Sequence, residues 1–224
     1  MQVRFRMRMA FGTPALFTRS TGVRYKTMES VMPDIQQAKI LIMATDGFEQ
    51  SELMVPQKKL SEAGATVEVA APRSRMKPDE IRGWDEKDWG KSVTVDKDIE
   101  TIDASAYDAL VLPGGQINPD KLRVEPKAIE IIRAFYSSGK VIAAICHAPW
   151  LLVEAGIIKG KQCTSYHSIK TDVMNAGGQW RDETVVTDQG VITSRNPGDL
   201  DAFVSKIVEE IREGSHAGRR QAAE

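Results

Sequence analysis

From Ala38 onward, short and almost unbroken apolar runs alternate with stretches of helical spacing, and this constrains the chain more than any other feature. "AKILIMAT" (38–45), "TVEVAAP" (66–72), "YDALVLPGG" (107–115) and "KVIAAIC" (140–146) read as strands buried on both faces, where no polar alternation is left. Residues 48–64 carry Leu53 and Leu60 at helical spacing, with Gly64 as a stop and Pro56 inside, where a kink or a late helix start is expected. Residues 126–139 put Ile129, Ile132 and Phe135 or Tyr136 on one face and end at Gly139. Residues 147–156 and 198–214 read as further helices, and 185–194 as late strands. Repeated strand–helix units predict an α/β three-layer sandwich, with a mostly parallel central sheet and helices on both faces. Ligands of such sheets sit at the carboxyl ends of the strands.

The section 73–100 has no helical period and is expected to form a hairpin or excursion near the pocket mouth. Its Trp84 and Trp89 read as packing anchors rather than lids. With 42% hydrophobic and 27% charged residues, the composition is that of a soluble globular chain. Thirty basic side chains against thirty-one acidic ones give no global reason to expect nucleic acid or an anionic membrane as a partner. No apolar run approaches the ~20 residues of a spanning helix.

Residues 1–34 read as a disordered or transit-like extension: Arg4, Arg6, Arg8, Arg19, Arg24 and Lys26 precede the first acid, Glu29. A cytoplasmic setting is expected, or a mitochondrial or other organellar one if this segment is a transit peptide. The catalytic domain is expected over 35–214, and 215–224 as a frayed tail with His216 exposed to solvent. Cys146 and Cys163 read as separate thiols, since a chain of 224 residues needs no staple. His147, His167 and His216 show no zinc-type spacing, so no structural metal is expected.

Cys146 ends a predicted central strand, and a helix begins directly behind it. A residue at such a corner is lifted above the sheet, commonly with strained backbone angles. Ala148 lets the chain turn tightly and Pro149 suits a first helical turn. The helix amino terminus favours thiolate over thiol. A lone cysteine is more often a small buried hydrophobe, but its place here favours a reactive thiol. The turn "LPGG" (112–115) ends a neighbouring strand, and the N–H groups of Gly115 and His147 are candidates for an oxyanion hole. Glu49 and Glu52 open the helix after the first strand. Acids there usually complement the helix dipole, whereas one beside a thiolate at a dry sheet edge keeps its proton and donates it to sulfur.

The segments "GFEQSEL", "YDALVLPGG", "AAICHAPWLLVEAG", "TSYHSIKTDVMNAGGQW" and "VITSRNPGDLDAF" together resemble the PfpI family of intracellular cysteine proteases. That family lies within the superfamily of the Parkinsonism-associated deglycase and the class I glutamine amidotransferase-like, flavodoxin-like fold. The resemblance runs from about Ala38 to Arg212. It implies Cys146 as nucleophile, His147 as the histidine following it, Glu49 as the acid that hydrogen-bonds the thiol, and Gly115 as an oxyanion-hole glycine. Asp120 is the nearest match to an acid that such proteases take from a neighbouring subunit, although the loop "QINPDKLR" is one residue longer than their pattern. Ala148 stands where the family has glycine, so a positive backbone angle there would be strained. His167 stands where the family has proline and reads as solvent-facing.

The resemblance implies glyoxalase and deglycase chemistry on reactive carbonyls such as methylglyoxal, without a cofactor, in a homodimer or larger homo-oligomer. Peptide hydrolysis by the same thiol ranks second. A non-catalytic stress protein that senses oxidation through Cys146 ranks third. True glutamine amidotransferase activity is excluded, because "SRNPGDL" lacks the histidine that chemistry needs.

Overall fold

The computed structural model describes residues 34–73 and 79–216. The expected 1–34 extension, apart from Asp34, and most of the 215–224 tail lie outside them. Six strands follow the predicted runs: β1 (Lys39–Met43), β3 (Thr66–Ala71), β7 (Ala109–Leu112), β8 (Val141–Ile145), β11 (Val185–Asp188) and β12 (Val191–Ser194). With β6 (Lys97–Asp98) they form a seven-stranded sheet in the order β11-β12-β8-β7-β1-β3-β6. Each neighbouring pair is parallel except β11 with β12.

Strand side chains alternate between two apolar layers, as the period of two requires. Ile40, Ile42, Val111, Ala143 and Ile145 pack on one side with Leu53 and Leu60 of α1 (Gln50–Glu62) and Phe203 and Ile207 of α6 (Leu200–Glu213). Leu41, Met43, Leu110, Leu112, Ile142 and Ala144 face the other side. There they meet Ile129, Ile132 and Phe135 of α3 (Pro126–Ser137) and Leu151 and Leu152 of α4 (Pro149–Glu154). This is the expected three-layer sandwich. Among the described residues no helix is long and apolar enough to cross a membrane.

From β1 the chain first moves outward to β3, then crosses back to β7 and β8 on the other side. The order therefore reverses between β1 and β7, which opens a crevice at their carboxyl ends. The loops after β1, β7 and β8 all emerge at that edge.

Two local expectations are corrected, and a third, the hairpin over 73–100, is met and extended. α1 runs unbroken through Pro56 rather than starting late. The section 73–100 holds a hairpin, β4 (Glu80–Asp85) with β5 (Asp88–Thr94), and β4 also pairs in parallel with a two-residue strand, β2 (Phe48–Glu49), that went unseen in the sequence. His216 is not frayed: its N–H donates to the Gly139 carbonyl at 2.8 Å, and its ring pairs with Glu210 at 3.1 Å. Trp84 and Trp89 pack edge to face across the hairpin, ring centres 5.7 Å apart, in keeping with an anchoring role.

Candidate active site

β8 delivers Cys146 to the crevice, where the chain reverses sharply. Cys146 has a φ of 64°, a left-handed conformation that costs a side-chain-bearing residue about 1–2 kcal/mol. Its N–H donates to the Ser194 carbonyl at 3.0 Å, and its carbonyl accepts from Tyr166 N–H at 2.8 Å, so neighbouring segments hold the strained residue on both sides. The strain expected at Ala148 is absent, because that residue is right-handed helical, with φ −59°. The unusual angle belongs to the cysteine itself, and the following position needs no glycine.

Two amides, a carboxyl and an imidazole surround the sulfur. The N–H groups of Gly115 and His147, the pair read as an oxyanion hole, both hydrogen-bond it. The carboxyl is that of Glu52 rather than Glu49. Glu49 has extended backbone angles and caps α1: its Oε2 accepts from Glu52 N–H at 2.8 Å and from the Ser51 hydroxyl at 2.7 Å. Glu52, one turn in, lies on the same buried side of α1 as Leu53, Pro56 and Leu60 and is fully enclosed. Its Oε2 accepts from Gly114 N–H at 2.9 Å.

Burial, with the nearby Glu49 charge, pushes the Glu52 carboxyl up to about 8, so it keeps its proton at neutral pH. Burial, and after it Glu52 whenever that carboxyl is ionised, push the Cys146 thiol up, against the two amide N–H groups that favour its thiolate. A neutral Glu52 does not repel the thiolate and can donate to it, so the carboxyl's proton and the sulfur's charge support each other. The helix dipole is a smaller influence than the sequence suggested, because α4 has only six residues.

His147 lies almost enclosed beside the sulfur, Nδ1 3.1 Å from Sγ. Its ring stacks on Tyr166, centres 4.8 Å apart, and meets Trp150 edge to face at 5.3 Å. Burial and the neighbouring His167 push it down to about 4, so the ring is neutral at pH 7. His167 is exposed and packs on the outer side of Tyr166, with ring centres 4.3 Å apart.

Asp120, expected to act from a neighbouring subunit, is not part of this group within its own chain. It lies exposed on α2 (Ile117–Leu122), in a cleft of about 320 Å³ shared with Gln116, Ile117, Lys121 and Trp150. The outer nitrogen of His147, Nε2, instead meets the Ser168 hydroxyl at 3.1 Å. On the other side of α2 the hairpin walls a cleft of about 750 Å³, lined by Asp46, Arg82, Trp89 and Lys121 among others.

One organising residue escaped the sequence reading. Asn118, fully buried, accepts from Thr45 N–H at 2.8 Å and donates to the carbonyls of Pro113 at 2.7 Å and Gly114 at 3.3 Å. It thereby ties the end of β1 to the turn that carries Gly115. Cys163 is buried away from this edge, a free thiol that burial pushes up to about 11. Among the described residues no group of three or more His, Cys, Asp and Glu side chains converges as a metal site requires.

Residues 38–210 match the DJ-1/PfpI family. A deglycase of Pyrococcus abyssi is 40% identical over 174 residues, covering 78% of this chain and 99% of its own. Protein/nucleic acid deglycase 2 of Escherichia coli is 40% identical over 169 residues, 74% of this chain and 92% of its own. The crystal structure of Drosophila melanogaster DJ-1beta superposes with a TM-score of 0.71 at 30% identity, covering 82% of this chain and 95% of that one.

Proposed function

The chain belongs to the DJ-1/PfpI family, and from that membership we propose that it is a cysteine-dependent enzyme acting on reactive carbonyls, of the deglycase or glyoxalase kind. The observation that carries this reading is the convergence of a fully buried carboxyl, two amide N–H groups and an imidazole on one sulfur. The deglycase names of relatives at 40% identity support it.

In this reading the Cys146 thiol proton passes to His147 Nδ1, and the sulfur attacks the aldehyde carbon of methylglyoxal. The C=O π pair moves onto oxygen. The amides of Gly115 and His147, already beside the sulfur, donate to that oxygen, and it takes a proton to give a hemithioacetal. A base removes the C1 hydrogen to give the enediol, the proton returns to C2, and the C1 hydroxyl proton passes to the C2 oxygen, which turns the hemithioacetal into a thioester of lactate. Water then releases lactate and restores the thiol, so the sum is methylglyoxal plus water giving lactic acid. On a methylglyoxal–amine adduct the thiol displaces the amine and forms the same hemithioacetal.

Peptide hydrolysis is the less favoured reading. It calls for an acid, taken in such proteases from a neighbouring subunit, to orient the histidine and stabilise its protonated form, whereas within the chain the outer nitrogen of His147 already has the Ser168 hydroxyl as its partner. The test is lactate formation from methylglyoxal by wild type and by Cys146→Ser, with a peptide substrate in parallel. Turnover of the carbonyl alone, abolished in Cys146→Ser, is expected. Equal activity in the two proteins would sink the proposal.

A further inference from the structure

We propose that Ser168 is a positioning residue that holds His147 in its Nε2–H tautomer, leaving the bare Nδ1 lone pair aimed at the Cys146 thiol. The proposal rests on the reading of Cys146 as the reacting thiol. His147 is only 4% exposed, with Tyr166 and Trp150 packed against its ring. Among the described residues its ring nitrogens have one hydrogen-bond partner each: Cys146 Sγ at Nδ1 and Ser168 Oγ at Nε2, both at 3.1 Å. A neutral imidazole carries one proton, and the partner of the outer nitrogen selects where it sits.

The direction is set from the inner end. In this arrangement Glu52, which burial keeps protonated, is the donor to sulfur, and the S–H hydrogen turns to Nδ1, 3.1 Å away. The imidazole proton then belongs on Nε2, where Ser168 accepts it. Ser168 is exposed, so its own hydroxyl hydrogen bonds water at no cost to this arrangement. After Nδ1 takes the thiol proton, the imidazolium still has a partner at each nitrogen, which a buried ion requires. Ser168 is also held in place from the cysteine side. It lies on a 3-10 turn (His167–Ile169) where Ile169 N–H donates to the Tyr166 carbonyl at 3.2 Å, and Tyr166 N–H in turn donates to the Cys146 carbonyl.

The test compares wild type, Ser168→Ala and Ser168→Thr by imidazole 15N shifts of His147, by iodoacetamide alkylation of Cys146 at pH 7, and by steady-state turnover of methylglyoxal. Ser168→Ala is expected to lose the Nε2–H signature, to slow alkylation about fivefold, the worth of one hydrogen bond, and to lower kcat with KM unchanged. Ser168→Thr keeps a hydroxyl and is expected to restore all three. Wild-type shifts and alkylation in Ser168→Ala would overturn the proposal, as would equal losses in both variants. The shifts and the alkylation need no turnover. A wild type that makes no lactate while Ser168→Ala loses the signature would therefore remove the proposed function and leave the positioning role standing.

Discussion

Glu52 and Cys146 meet across the backbone of Gly114, where a Cβ would stand 2.7 Å from Glu52 Oε2 and 2.7 Å from Cys146 Cβ. The Ile145 carbonyl oxygen would be equally close, and backbone cannot swing aside. Gly114→Ala is expected to destabilise the fold by about 1–3 kcal/mol, as overpacking does. It should also part the carboxyl from the sulfur. Urea unfolding and the alkylation rate of Cys146 read the two effects separately.

Glu52 gives stability a particular pH dependence. Its carboxyl titrates near 4.5 when unfolded and near 8 when folded, so the fold favours the protonated form. That contribution is complete below pH 4.5 and is lost as pH rises through 8, at up to ~1.4 kcal/mol per pH unit. Urea midpoints measured from pH 4.5 to 8.5 should therefore fall more for wild type than for Glu52→Gln. Parallel curves would remove the raised carboxyl from the account.

His147 has the opposite sign. Its folded value, about 4, lies below the ordinary 6.5 of an unfolded histidine, so its contribution is present above 6.5 and lost as pH falls through 4. With the ring neutral over the intervening range, the acid limb of the turnover profile is expected nearer pH 4 than 6.5. A limb at 6.5 that disappears in His147→Gln would contradict the buried, neutral ring.

Asn118 should matter more than its place outside the site suggests. Asn118→Ala strands the Thr45 N–H and frees the Pro113 carbonyl inside the protein, a loss on the order of 3 kcal/mol. Asn118→Asp keeps the acceptor for Thr45 but sets a carboxylate oxygen against the Pro113 carbonyl, so it should do no better than alanine. Thermal unfolding ranks the three proteins.

Legibility in the sequence followed what each residue's physics exposes locally. Val141–Ile145 and Ala109–Leu112 are buried on both faces, so their unbroken apolar runs mark the central strands directly. Cys146, Gly115 and the His147 amide came with the strand ends. The choice between Glu49 and Glu52 did not, because both acids flank the start of one helix. What separates them is backbone geometry: Glu49 is the extended cap, whereas Glu52 shares the inward stripe with Leu53, Pro56 and Leu60. The two-residue β2 and the Asn118 clamp rest on contacts between distant segments, which leave no periodic trace. Ser168 was invisible for the same reason, since its bond to His147 spans 21 residues.

The central claim is that Cys146, nearly as enclosed as Cys163, is nonetheless the reactive thiol because of the groups around it. Peptide mapping after brief treatment of the native protein with iodoacetamide tests this directly. The account predicts label on Cys146, none on Cys163, and protection by methylglyoxal. Label shared between the two cysteines, or a Cys146 that stays unmodified until the chain unfolds, would contradict it.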